Sequence, residues 1–96
     1  ESVLFRQRAD GLWGSAADEL AATARALRTL VAAGINSGHA LHGAPIKKAI
    51  EALCQLAEAG ARSPELADAL RAALTAAAGA RTQARVTAAL TLAGGI

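Results

Sequence analysis

Residues 63–77 read SPELADALRAALTAA, and this stretch decides the fold class. A serine, a proline and a glutamate in succession are favoured at the N-cap and the first two positions of an α-helix. After them Leu66, Leu70 and Leu74 recur at intervals of four, which is the spacing of one helix face. The stretch therefore predicts an amphipathic helix that begins after Ser63 and buries its leucines.

The composition of the whole chain points to helices as well. Of its 96 residues, 28 are alanine and 13 are leucine, which lead the helix scale. The strand-favouring residues valine, isoleucine and threonine number only 3, 4 and 6. Because two aromatic side chains cannot build a base-stacking platform, the composition also argues against a nucleic-acid partner.

Start and stop signals predict further helices on either side of this stretch. One helix opens at Ser15 with a capping-box pattern and ends at Gly34. The next has Pro45 at its first position, where the missing N–H costs nothing, and ends at Gly60.

Two parts of the helix pattern leave alternatives open. Gly79 either ends the helix that starts after Ser63 or lies inside a longer one, and Thr82 is the predicted cap of a last segment. Residues 2–12 form a short helix or a packed arm. We predict an all-α fold, a small antiparallel up-down bundle of four main helices, or five in all, joined by short connections.

Large apolar side chains are few for a chain of this length. Leucine, isoleucine, valine, phenylalanine and tryptophan together supply 22 residues, near the lower limit for an independent fold. Such a thin core favours dimerisation, or origin as part of a larger protein, and a first residue that is not methionine favours the latter. We expect residues 1–96 to form a single helical-bundle domain that is a fragment of a larger protein.

Charge and cysteine content exclude several classes of site. The net charge is only +2, and the basic residues are scattered in pairs, as expected for solvated helix surfaces. Cys54 is the single cysteine, so the chain has no internal disulfide and no zinc-binding cysteine pattern, and we expect a small core residue there. The sequence shows no membrane span. The lack of a disulfide and of a signal peptide favours a cytoplasmic location.

Both histidines of the chain lie in residues 38–44, which read GHALHGA. His39 and His42 are three apart and would share a face if this segment were helical. However, no Cys, Asp or Glu lies within ten residues before His39 or eight after His42. We therefore predict no metal site and no cofactor.

The segment from His39 to Ala44 resembles the histidine-phosphotransfer domains, whose short motif is His-x-Leu-Lys-Gly-Ser/Ala. It matches that motif with His42 at the position of the usual lysine. The resemblance implies that His39 is a phosphoacceptor, that His42 holds the phosphate oxygens, and that Gly43 leaves room for a partner's phosphorylated aspartate. The layout of His39, Pro45 and residues 63–66 is also similar to the dimerisation and phosphoacceptor helix pair of sensor histidine kinases.

Two hypotheses for the function follow. The leading one is a non-enzymatic helical-bundle module for protein–protein interaction or dimerisation, whose partner is another protein or a second copy. It is motivated by the capped amphipathic helices, the thin core and the lack of a catalytic constellation. Its candidate interaction residues are Leu4, Phe5 and Trp13. The alternative is a phosphotransfer domain of a two-component relay, acting through His39 with His42 and Gly43.

Overall fold

The computed structural model describes residues 7–8, 11–14, 19–40, 43–61 and 63–93. These residues contain four α-helices and no strand, which confirms the predicted all-α class. The helices are α1 (Glu19–Ala32), α2 (Gly43–Glu58), α3 (Pro64–Ala76) and α4 (Ala80–Leu92).

The four helices pack into a small bundle with α3 at its centre. Helix α3 contacts each of the other three helices, and α1 packs most extensively on α3. Helices α2 and α3, and likewise α3 and α4, are sequence neighbours that pack on each other across short connections. Helix α1 therefore has α3, rather than its sequence neighbour α2, as its main partner.

Helix α3 begins as its sequence predicts. Ser63 is the N-cap, and its Oγ accepts a hydrogen bond from the Leu66 N–H at 3.0 Å. Pro64 occupies the first helical position, where an N–H would have no partner within the helix. Leu66 and Leu70 are fully buried and Leu74 is partly buried against the core, so the periodic leucine stripe is the face turned to the core.

The ends of α1 and α2 are built by glycines, as predicted. The Gly34 N–H donates to the Val31 carbonyl at 2.9 Å, and the Ile35 N–H donates to the Leu30 carbonyl at 2.9 Å. Gly34 has a φ of +82°, which a residue with a Cβ rarely adopts. This is the Schellman arrangement, and Gly60 repeats it at the end of α2 with a φ of +100°.

The predicted start of α2 is wrong by two residues. The helix begins at Gly43, whose N–H donates to the His39 carbonyl at 2.9 Å, and Pro45 is its third residue. Pro45 is tolerated there because the N–H groups of the whole first turn lack partners inside the helix.

The structure also settles the role of Gly79. Helix α3 ends at Ala76, and Gly79 is the N-cap of α4 with a φ of +90°. The prediction that Thr82 caps the last segment is wrong, because the left-handed glycine places the break three residues earlier. The predicted cap at residues 15–18 lies outside the described residues.

Alanine supplies much of the buried surface. The described core contains 25 buried hydrophobic residues, and 12 of them are alanine. Cys54 is wholly buried, as predicted for a small core residue. The core is thus built by helices that approach closely over small side chains as well as by interlocking large ones.

The described part of the N-terminal stretch is a packed arm. The Gln7 Nε2 donates to the Gly11 carbonyl at 2.8 Å and to the Pro45 carbonyl of α2 at 2.7 Å. A Cβ added at Gly11 would lie 2.8 Å from the Lys48 carbonyl oxygen, so the arm lies directly on the α2 backbone. Among the described residues, no helix is long and apolar enough to cross a lipid bilayer.

Candidate functional site

His39 lies in the non-helical connection between α1 and α2 and is half-buried. The backbone N–H of His39 donates to the Asn36 carbonyl at 3.0 Å. The Asn36 Oδ1 accepts from the Gly38 backbone N–H at 2.9 Å. The His39 carbonyl in turn accepts from the N–H of Gly43. The backbone of His39 therefore belongs to the turn that starts α2, while His42 lies outside the described residues.

Gly43 is buried against its own chain. A Cβ added there would lie 2.5 Å from the Ser37 carbonyl oxygen and 3.0 Å from the Ser37 carbonyl carbon. Backbone atoms cannot yield as a flexible side chain can. The close approach to Ser37 thus accounts for the glycine, and the space beside Gly43 is occupied by the preceding connection.

Ser37 ties this connection to the one between α3 and α4. Its N–H donates to the Ala76 carbonyl at 2.9 Å, and its Oγ accepts from the Ala78 N–H at 2.7 Å. The side chain is 2% exposed, so both bonds are shielded from water. The local sequence around Ser37 carries no signal for partners some 40 residues away in the chain.

Of the three candidate interaction residues, Trp13 lies among the described residues. Trp13 is 4% exposed, and its backbone N–H donates to the Thr23 Oγ1 of α1 at 2.9 Å. Its side chain is therefore an anchor inside the bundle. Leu4 and Phe5 lie outside the described residues. Within the described part of the chain, no three His, Cys, Asp or Glu side chains are grouped as metal ligands.

Ion pairs on the surface link helices that also pack through apolar faces. Arg28 of α1 donates two hydrogen bonds to Asp68 of α3, at 2.7 and 3.2 Å, and these hold the pKa of the Asp68 carboxyl below its ordinary value. Arg85 of α4 pairs with both Glu51 and Glu58 of α2. The Arg85 hydrogen bond likewise lowers the pKa of Glu51. Because these side chains are a third to a half exposed, each pair contributes little to stability.

Helix α4 presents an outward face that is nearly free of charge. Ala80, Ala84, Ala88 and Leu92 follow one another at intervals of four and are all exposed. Leu92 is 45% exposed and is the large hydrophobic side chain that the described residues leave on the surface. We call this row, with the exposed Thr87 and Thr91 beside it, the α4 outer face.

The other three helices each turn at least two charged residues outward, whereas α4 fully exposes only Arg81 among its described residues. Exposed positions of α2 include Lys47, Lys48 and Glu51, whereas residues 80–92 contain no Asp or Glu at all. Sequence reasoning missed this surface because alanines four residues apart were taken only as good helix formers. The signal was available, since Val86 and Leu90 mark the buried face of α4 and the alanine row lies on the opposite side.

A second apolar surface is an open groove of about 350 Å³ beside α2. It is lined by Leu12, Ala52, Gln55, Leu56 and Ala59. Gln55 is its polar side chain, and the Gln55 Nε2 already donates to Glu51 at 3.0 Å. The groove therefore lacks the converging polar groups that orient a small ligand.

No protein-family model, no curated protein and no solved structure matches this chain. The candidate surface therefore depends on the geometry of the molecule alone.

Proposed function

We propose that this chain is a non-enzymatic helical-bundle module that self-associates through the α4 outer face. The observation that carries the proposal is the exposed, uncharged row formed by Ala80, Ala84, Ala88 and Leu92. A solvent-facing helix surface ordinarily carries charged and polar side chains. A row of small residues that ends in an exposed leucine instead suits close approach by another helix.

A second copy fits this row because the row is complementary to itself. If two α4 helices cross in opposite directions about a two-fold axis, Leu92 of one copy meets Ala80 of the other, and Ala84 meets Ala88. At each end of the crossing, the large Leu92 side chain of one copy then lies over the small Ala80 side chain of the other. Arg81 is exposed three residues before Ala84 and seven before Ala88, so it shares the α4 outer face and would lie near the crossing. No acidic residue in 80–92 would be buried unpaired.

The experiment is sedimentation equilibrium on the intact chain and on Ala84→Glu, across a wide range of protein concentration. Ala84 is exposed near the middle of the row, so the substitution leaves the core intact and places a charge at the crossing. We expect the 9.6 kDa chain to approach twice that mass as concentration rises. The Ala84→Glu variant should remain a monomer.

The matched control is Ala44→Glu, which adds the same charge at an exposed position of α2. This variant should associate like the unaltered chain. A chain that stays at 9.6 kDa at every concentration would contradict the proposal. So would equal weakening of association by both substitutions, since that would indicate a general effect of charge.

Phosphotransfer through His39 is the alternative proposal and has less support. That chemistry favours an exposed imidazole on a rigid helix, whereas His39 is half-buried in a connection, and the space beside Gly43 is filled by Ser37. The direct test is acid-labile phosphorylation by a phosphorylated receiver domain, compared between the unaltered chain and His39→Gln. Phosphate that is incorporated and then lost in His39→Gln would favour this alternative over self-association.

A further inference from the structure

Helix α4 buries the fewest residues of the four described helices, although it packs on both α2 and α3. It buries three residues, Val86, Ala89 and Leu90, whereas α2 and α3 bury seven each and α1 buries five. Its N-cap, Gly79, makes no side-chain hydrogen bond. Elements with few buried apolar contacts open locally at lower free energy than the rest of a protein.

The chain has a natural pivot where α4 begins. The Ala78 N–H is held by the buried Ser37 Oγ, so the chain up to Ala78 is fastened to the bundle. The next residue, Gly79, has a φ of +90° and no heavy atom within 4 Å of the position a Cβ would take. Glycine permits a backbone change at this position. The bond that would have to break beside the pivot is the one from the Gln83 Nε2 of α4 to the Ala77 carbonyl, at 3.2 Å.

One side chain fastens α4 to α2 through ion pairs. Arg85 pairs with Glu51 and Glu58, which are seven residues apart on α2 and so lie on the same helix face. Cys54 lies between them on that face and is completely buried. The Arg85 clasp, defined as Arg85 with these two glutamates, thus lies over the side of α2 where the thiol is covered.

We propose that α4 is a hinged helix that swings away at Gly79 while α1, α2 and α3 stay folded, and that the Arg85 clasp sets how often it opens. Opening uncovers Cys54 together with the faces of α2 and α3 that pack on α4. The proposal does not depend on self-association. It is tested at a protein concentration where sedimentation shows a monomer.

The experiment measures the rate at which a thiol reagent labels Cys54 in the folded chain, with urea added in steps below the unfolding transition. Because Cys54 is the single cysteine, the signal reports one site. Amide hydrogen exchange in α1 and α3 is followed under the same conditions. We expect Cys54 to become labelled through an opening with a weaker urea dependence than that of the slowest α1 and α3 amides, because less surface is exposed.

Two variants and one control locate the opening. Arg85→Gln should raise the Cys54 labelling rate about fivefold, and Val86→Ala, which removes a buried α4 anchor, should raise it further. Arg81→Gln, at an exposed arginine of the same helix, should leave the rate unchanged.

Labelling with the same urea dependence as the slowest α1 and α3 amides would overturn the proposal, because Cys54 would then be uncovered only by global unfolding. Unchanged labelling in both Arg85→Gln and Val86→Ala would overturn it as well.

Discussion

The backbones of Gly43 and Ser37 lie so close that a Cβ added at Gly43 would be 2.5 Å from the Ser37 carbonyl oxygen. Their positions decide where α2 starts, because the α2 N-terminus is pressed against the connection that precedes it. Ser37 also holds Ala78, so the starts of α2 and α4 are linked through one serine. The same glycine that completes a phosphotransfer-like motif in the sequence thus has a structural role in the fold.

Gly43→Ala is expected to destabilise the protein. The new Cβ would lie 2.5 Å from the Ser37 carbonyl oxygen, so one backbone segment must shift, at a cost of about 1–3 kcal/mol in the free energy of unfolding. Urea denaturation measures the loss. Ala44→Ser, at the exposed neighbouring position, is the control and should change stability by less than about 0.5 kcal/mol. An unchanged free energy of unfolding in Gly43→Ala would show that the space between Gly43 and the Ser37 carbonyl can hold a Cβ.

The Arg28–Asp68 pair should lower the pKa of the Asp68 carboxyl, and this shift can be measured. In the folded chain the two hydrogen bonds from Arg28 lower the pKa of Asp68, so the pair stabilises the protein above the unfolded-chain pKa, and this stabilisation is lost as pH falls through the folded-state pKa. Because the two side chains are 51% and 47% exposed, we expect only a few tenths of a kcal/mol.

Carbon-detected NMR titration of the Asp68 carboxyl checks this prediction. Arg28→Gln should raise the pKa of Asp68 towards its ordinary value, although Arg71 continues to lower it by its charge. Arg25→Gln removes an exposed arginine from the same helix and serves as the control. An Asp68 pKa that is the same with and without Arg28 would rule out the pair in solution.

Individual helices are the scale at which the sequence was most informative. The Ser63 cap and the glycine ends at Gly34 and Gly60 depend on neighbouring residues, so local chemistry was enough to place them. Pro45 and Thr82 were misplaced because backbone constraints a few residues before them decided those boundaries. The start of α2 depends on Ser37, and the break before α4 is fixed by Gly79 in a left-handed conformation.

Ser63→Ala should cost about 1 kcal/mol of unfolding free energy, because the Leu66 N–H loses its acceptor. Thermal and urea denaturation monitored by circular dichroism measure this loss. Ser63→Asp keeps an acceptor at the cap and adds a favourable charge at the helix N-terminus, so it should restore stability. If alanine and aspartate at this position gave equal stability, the cap would not be the source of the effect.

Across the whole molecule, alanine has two roles that composition alone cannot separate. Inside the bundle it lets α1, α2 and α4 approach the central α3 closely, and on the α4 outer face the same residue is left exposed. The leucine spacing predicted which side of α3 is buried, but no local pattern predicted which helices become neighbours. The pairing of α1 with α3 and the exposure of the α4 outer face are seen only when the four described helices are packed together.

The central claim is that two α4 outer faces meet, and isotope-filtered NMR tests it most directly. A mixture of labelled and unlabelled chain, at a concentration where the dimer predominates, reports only contacts between different molecules. We predict intermolecular NOEs from the Leu92 methyl groups to the Ala80 methyl group, and between the Ala84 and Ala88 methyl groups. Intermolecular NOEs confined to other surfaces, such as the groove at Leu56, or no intermolecular NOE at all, would contradict the claim.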